Sequence, residues 1–255
     1  MQVRSITPYK IMKVYSIFVS STIYHAGVFL LTVFFSLVGI IILPFARKVR
    51  YRIIRNWAKF TLSWLNFTCK LSWEVDGVEN IPKNSGIVFA KHQSAWETLA
   101  LQLVFPEQSQ VIKRELLLVP FFGWGLASLN PISINRSDGI KALKTVLQES
   151  KVRIKRGWWI IIFPEGTRTN IGEKGNYSRT AAAVAKANDC PIIPVAHNAG
   201  LFWPKASYLR YPGKIVMKVG PEVITKDKSN DEITEEASKW IETTCMSLPS
   251  TRQSS

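Results

Sequence analysis

The sequence predicts an α/β fold, a central mixed sheet flanked by helices, preceded by N-terminal membrane-associated helices. Three observations carry this. From about residue 72, short apolar runs alternate with segments of helical period, the pattern of helices packed on a sheet. Residues 14–46 contain no Asp, Glu, Lys or Arg. The 255 residues are 47% hydrophobic yet carry 33 Lys and Arg against 18 Asp and Glu, a formal net charge of +15. A chain that is both apolar and basic suits an anionic membrane surface.

Within the charge-free stretch, residues 26–45 read AGVFLLTVFFSLVGIIILPF; about 20 apolar residues suffice to cross a bilayer core. A cleaved signal is disfavoured, because the apolar region is too long and no small-x-small site precedes the basic run that follows. Arg4, Lys10 and Lys13 precede the stretch, and Arg47, Lys48, Arg50, Arg52, Arg55 and Lys59 follow it. The heavier second cluster places the main body on the cytoplasmic side, here the inner membrane. One tilted span and a re-entrant helical pair broken near Gly27 or Gly39 both fit. Residues 51–71 set Trp57, Phe60, Leu62, Trp64, Leu65 and Phe67 among basic residues. That suits an amphipathic helix in the interface, or equally a core-facing one. The expected division is 1–70 for anchoring and interfacial helices, 71–243 for the α/β domain and 244–255 for a loose polar tail.

In the body, residues 71–82 read as a strand and turn, and 86–90 (GIVFA) as a short buried strand. Residues 97–105 form a helix stopped by Pro106. Strands are expected at 110–113 and 131–135, and a helix at 139–156 with Ile140, Leu143, Val146 and Leu147 on one side. A buried strand at 158–164, an Ala-rich helix at 180–187 and a strand at 191–196 follow. Leu116 to Phe122 is an apolar run that lines a channel, dips into the bilayer or joins the core. Cys69, Cys190 and Cys245 are an odd number without a C-x-x-C pair, which reads as idle thiols rather than a disulfide scaffold.

Two strand ends carry polar clusters that packing does not demand, and in α/β sheets sites collect at such ends. After GIVFA comes Lys91-His92-Gln93-Ser94-Ala95-Trp96-Glu97. On a continuous helix, residues five apart are separated by about 140°, so His92 must precede the helix for Glu97 to reach its ring. A carboxylate on one ring nitrogen fixes the tautomer and raises the basicity of the other, giving a general base for a hydroxyl. The competing reading is a capping box, Ser94-x-x-Glu97, in which Glu97 merely closes the helix start. Ser94 as nucleophile lacks the G-x-S-x-G elbow.

After WWIII comes Phe163-Pro164-Glu165-Gly166-Thr167-Arg168-Thr169. It offers Arg168 for an anion, Gly166 for close backbone approach and Glu165 for a hydroxyl or cation. Arg136 and Lys113, at two further strand ends, are candidate anion ligands. Together these suggest base-assisted attack by a hydroxyl of a phosphate-bearing substrate.

These residues resemble the glycerolipid acyltransferase family, particularly bacterial 1-acyl-sn-glycerol-3-phosphate acyltransferases. His92 to Glu97 resembles the H-x-x-x-x-D block, Pro131 to Arg136 the second block, and Phe163 to Thr169 matches F-P-E-G-T-R-S/T in full. Pro191 to Val195 matches the fourth block. The resemblance covers roughly residues 50–225 and implies a glycerol-3-phosphate acyltransferase-like sheet. It also implies acyl transfer from acyl-CoA or acyl carrier protein to the 2-hydroxyl of lysophosphatidate at a membrane bilayer, with no cofactor. His92 is then the base and Glu97 its orienting group. Arg136 and Arg168, helped by Lys113, hold the phosphate; Glu165, with Gly166 and Thr167 of its block, contacts the glycerol. Two departures stand out. Glu97 replaces Asp, and the usual F-K-x-G stretch is Tyr177-Ser178-Arg179-Thr180, leaving Lys174 or Arg179 to supply its charge.

Rival readings fare less well. A nucleic-acid binder lacks zinc spacing and an RNP-like aromatic motif, and its lysines are dispersed, so no nucleic-acid partner is expected. Gly123-x-Gly125 lacks the third glycine of a dinucleotide fingerprint. His25, His92 and His197 are too far apart in sequence for a metal-site spacing, and no metal is expected. Another lysophospholipid, a lyso-aminolipid, or a non-catalytic basic membrane protein are the alternatives.

Overall fold

The structure, a computed structural model, describes residues 8–252. Helix α1 (Pro8–Ile41) runs unbroken through both glycines at which a re-entrant break was expected. It contains a 30-residue segment, Met12–Ile41, long and apolar enough to cross a membrane. Helix α2 (Arg47–Cys69) folds back along it after a turn at residues 42–46. The glycines serve contact rather than kinking. A Cβ on Gly27 would lie 2.1 Å from Trp64 Nε1 of α2, and Gly39 faces Ile54 of α2 and the later Gly125 and Ser128.

Helix α2 turns one side to the core and leaves aromatic residues exposed on the other. Tyr51, Ile54, Ala58, Leu62, Leu65 and Cys69 recur at helical spacing and are buried, whereas Phe60 and Phe67 are exposed. Helix α1 is likewise tied to the body by polar groups along its length. The Arg210 N–H donates to Ser21 Oγ (2.9 Å), Tyr208 Oη to Thr22 Oγ1 (3.0 Å), and His25 Nε2 lies 2.9 Å from the Tyr208 carbonyl. One turn from its end, Ser36 Oγ donates to the Phe121 carbonyl at 2.6 Å. A polar side chain on an apolar helix is stable when it meets such a partner and costly when it does not.

The body contains seven strands: β1 (Leu71–Asp76), β2 (Ile87–Ala90), β3 (Gln108–Lys113), β4 (Ile132–Ile134), β5 (Trp159–Ile162), β6 (Ile192–His197) and β7 (Gly213–Val219). They form one sheet in the order β1-β7-β6-β2-β5-β3-β4. All neighbours are parallel except β6 and β7, so the sheet is mixed, as expected. Helices α3 (Trp96–Val104), α4 (Phe122–Ser128), α5 (Ile140–Ile154), α6 (Thr180–Asn188), α7 (Ala199–Phe202) and α8 (Asn230–Ser247) complete the domain.

The central strands β2, β5 and β6 are buried throughout, which explains their uninterrupted apolar runs. Alternate residues feed opposite cores. Val88, Ala90 and Ile161 pack toward α2 and α3, while Ile87, Phe89 and Ile160 pack toward α6 and α8.

Strand β7 and helix α8 were not expected from the sequence. Strand β7 alternates buried Ile215, Met217 and Val219 with partly exposed neighbours, and α8 opens on a Ser229–Glu232 capping box. The helix continues to Ser247, past the point where a loose tail was expected to begin. Ile233, Ala237 and Ile241 hold it to the core. Beyond it, the Pro249 carbonyl accepts from Asn198 Nδ2 at 3.1 Å.

Replacing Ser21 by Ala leaves the buried Arg210 N–H without its acceptor, which should cost ~1–3 kcal/mol. Thermal melting in detergent should register the loss; an unchanged melting temperature would mean that this contact does not hold α1.

Candidate active site

Strands β2, β5, β3 and β4 lie side by side and parallel, so their C-terminal ends emerge along one edge. Loop 91–95 leaves β2 there, and loop 163–179 leaves β5. Lys113 ends β3, and Arg136 follows β4 by two residues. The predicted residues are thus gathered by topology alone.

The backbone of His92 has left the sheet ladder, and the β5 loop supplies its partners. Its N–H donates to Glu165 Oε2 at 2.7 Å. Its carbonyl accepts from the Thr169 N–H (2.8 Å) and Thr169 Oγ1 (3.2 Å). Phe163 stacks on the imidazole, with ring centroids 4.3 Å apart and planes at 23°. Gly166 has φ = 69° and donates to the Phe163 carbonyl; that left-handed turn returns Thr169 to His92 and favours glycine.

His92 Nδ1 lies 2.8 Å from Glu97 Oε1, on a glutamate with no exposed side-chain surface. The same oxygen accepts from the Gln93 N–H (3.0 Å) and the Ser94 N–H (2.9 Å). Half of the capping box therefore exists. The other half does not: Ser94 Oγ accepts from the Trp96 N–H, and the helix is capped by Ala95. Donation from Nδ1–H leaves the lone pair on Nε2, which has no partner among the described residues, and the ring is 14% exposed. This is the geometry of a general base aimed outward.

A second imidazole stands behind the first, unexpected from the sequence. His197 Nε2 lies 3.8 Å from Glu97 Oε2, and His197 is fully buried. Its Nδ1 accepts from the Ala199 N–H, so Nε2 carries the proton and donates to the Lys91 carbonyl at 2.9 Å. Burial pushes the His197 imidazole below its usual value despite Glu97. Burial also works to raise the Glu97 carboxyl. His197, His92 and the Ser94 N–H outweigh it and hold Glu97 below the ordinary value of 4.5. Only the position of His197, at the end of the strand beside β2, could have signalled this meeting.

The candidate anion ligands differ from one another. The Arg168 guanidinium has no hydrogen-bond or ion-pair partner among the described residues, while its carbonyl accepts from Lys205 Nζ at 3.1 Å. Thr167 is exposed. Lys113 is half-exposed and 3.5 Å from Glu115. The Arg136 side chain lies outside what the structure describes; its backbone opens a 3-10 turn, Arg136–Asp138, capped by Asn135.

Glu165 departs from expectation. Its side chain is unexposed, with one oxygen 2.7 Å from Lys91 Nζ and the other on the His92 N–H, which leaves no face for a glycerol hydroxyl. Its contacts go instead to Lys91 and the His92 backbone. Arg179 is also not free, since it pairs with Asp231 of α8 at 2.5 Å. The apolar run divides. Leu118 is 80% exposed and Trp124 beyond it is half-exposed. Phe122 lines a slot with Phe35, Ile54, Trp57, Leu99 and Leu126, alongside the helix that carries Glu97.

An outward-facing base, an unpaired arginine and an apolar slot on one sheet edge describe an α/β enzyme that can activate a hydroxyl on an amphiphile. The chain belongs to the acyltransferase family, whose model matches residues 72–198. It is 40% identical to the 1-acyl-sn-glycerol-3-phosphate acyltransferase of Pseudomonas aeruginosa over 215 residues, 83% of either chain. It is 31% identical to the enzyme of that name from Saccharomyces cerevisiae, over 66% of this chain and 57% of that one. The fold is that of the 1-acyl-sn-glycerophosphate acyltransferase crystal structure from Thermotoga maritima. The TM-score is 0.78 at 24% identity, covering 96% of this chain and 99% of that one.

If Glu97 orients His92 and holds an ionised carboxylate, Glu97→Gln should lower kcat by ~10²-fold or more, with Glu97→Asp retaining part of it. Because the folded value of Glu97 is depressed, its stabilisation is present above pH 4.5 and is lost as pH falls through the folded value. Acid melting curves should therefore be shallower for Glu97→Gln than for the parent. Identical acid slopes would contradict a depressed Glu97.

Proposed function

We propose that the enzyme transfers a fatty acyl group from acyl-CoA or acyl carrier protein to the sn-2 hydroxyl of 1-acyl-glycerol-3-phosphate, forming phosphatidic acid. The observation that carries this reading is His92, with Nδ1 on buried Glu97 and Nε2 open, next to a loop that presents an unpaired Arg168. His92 Nε2 takes the hydroxyl proton as the oxygen attacks the thioester carbonyl. The imidazolium is stabilised by Glu97 while the charge is on the ring. The C–S bond then breaks, and the proton on Nε2 passes to the departing thiolate. A thioester is activated enough for a positioned base to suffice, such a base contributing ~10²–10⁴-fold.

Arg168, with Arg136 and Lys113 on the neighbouring strand ends, binds the glycerol phosphate. The family names of the relatives support this acceptor. The slot lined by Phe35, Trp57, Leu99 and Phe122 takes an acyl chain. Helices α1 and α2 lie in the cytoplasmic leaflet of the inner membrane. Helix α1 docks on the body at Ser21, Thr22, His25 and Ser36, so it stays with the domain rather than crossing alone. Exposed Phe29, Leu30, Phe34, Leu118 and Trp124 supply the lipid-facing surface.

Purified protein given lysophosphatidate and an acyl thioester should form phosphatidic acid faster than it acylates neutral lyso-acceptors. Preference for another lysolipid would displace lysophosphatidate from this reading. Arg168→Ala should raise the KM for lysophosphatidate at least tenfold while leaving the KM for the thioester within twofold; equal effects on both would remove Arg168 from the phosphate. With the native cysteines replaced, Tyr15→Cys near the start of α1 should resist a membrane-impermeant maleimide added from the periplasmic side, and labelling there would indicate a crossing helix.

A further inference from the structure

The loop that holds His92 rests on a buried charge that the reaction itself does not use. Lys91 is 1% exposed, and its ammonium places all three donors: on Glu165 Oε1 at 2.7 Å, Glu242 Oε1 at 2.8 Å and the Glu173 carbonyl at 3.0 Å. An ammonium has three donors and no acceptor, so none remains for a substrate. The group nevertheless adjoins the base. Glu165 carries Lys91 on one oxygen and the His92 N–H on the other. Glu242 is in turn fixed by the Tyr177 hydroxyl, which donates to it at 2.6 Å.

Helix α8, which contributes Glu242, lies beyond the residues 72–198 that match the family model. The sheet cannot do this work, since the ladder ends with the Lys91 N–H on the Val195 carbonyl. One residue later, His92 needs an acceptor that remains an acceptor. Burial pushes the Glu165 carboxyl up, against the pull of Lys91 and the His92 N–H. A protonated Glu165 would lose acceptor capacity where His92 needs it. Stability alone explains the arrangement poorly, because buried ion pairs often contribute less than apolar residues of the same volume.

We propose that Lys91 and Glu242 are positioning residues for acyl transfer. They keep Glu165 ionised and in place, and through it set the His92 backbone so that Nε2 meets the acceptor hydroxyl. The C-terminal helix is thereby part of the catalytic apparatus. This rests on His92 being the base. Its charged groups are taken up by one another and by the His92 backbone, so it acts on turnover and not on affinity.

The test is the charge-balanced double variant Lys91→Met/Glu242→Gln, which removes one positive and one negative charge together, with Glu242→Gln alone as the milder companion. Full-length proteins in detergent are assayed with lysophosphatidate and an acyl-CoA, and melted in parallel. Expected are a kcat at least 30-fold lower for the double variant and three- to tenfold lower for Glu242→Gln. Both KM values should stay within threefold of the parent, and the Glu242→Gln melting temperature should be unchanged. A kcat within twofold of the parent for Glu242→Gln overturns the proposal, as does a kcat loss that appears only together with a lowered melting temperature. Failure of the underlying reading is seen separately, because His92→Gln would then turn over as the parent does.

Discussion

A single oxygen of Glu97 accepts from the His92 ring and from the N–H groups of Gln93 and Ser94, and much of the site follows from that convergence. The carboxylate is wholly buried, so its charge must be compensated; three donors and the facing His197 do this. The same contacts fold the chain between β2 and α3 into one conformation. Loss of the charge would free the loop and release the imidazole together, which is why a short segment can both start a helix and hold the His92 ring.

Around this centre the protein clamps His92 from two more directions. Loop 163–169 takes both of its backbone groups and stacks Phe163 on its ring. Residues far apart in sequence thus meet because β2 and β5 are parallel neighbours, and their loops open at the same end. The net charge of +15 is divided in a related way. Glu165 and Glu97 are consumed internally, while Arg168 has no ion-pair partner among the described residues and the basic residues of α2 flank an apolar hairpin.

The alternating body was legible because its central strands are buried on both faces and therefore spell short apolar runs such as IVFA and WIII. The dyad was legible because His92 precedes a helix whose first turn holds Glu97. Other features were not. Strand β7 shows a plain alternation of Ile215, Met217 and Val219, a signal present but unread. Helix α8 shares the pattern Ser-x-x-Glu with residues 94–97, yet only at Ser229 and Glu232 does it form a full capping box; Glu97 keeps its half, but the Ser94 hydroxyl accepts from the Trp96 N–H instead. Neither His197 nor the burial of Glu165 could be read locally, because each depends on which strands become neighbours. Gly27 and Gly39 left a break in α1 open beside one continuous span; α1 is continuous, and the glycines admit the close approach of Trp64 and Gly125.

The central claim is that the open nitrogen of His92 takes the proton from the acceptor hydroxyl. It is tested most directly by the turnover of His92→Gln, purified alongside the parent and checked for an unchanged melting temperature, with lysophosphatidate and an acyl thioester both saturating. The account predicts that kcat falls by ~10²-fold or more with KM for both substrates retained. A variant that folds as the parent does and turns over within a few-fold of it would contradict the role of His92 and, with it, the purpose assigned to Glu97.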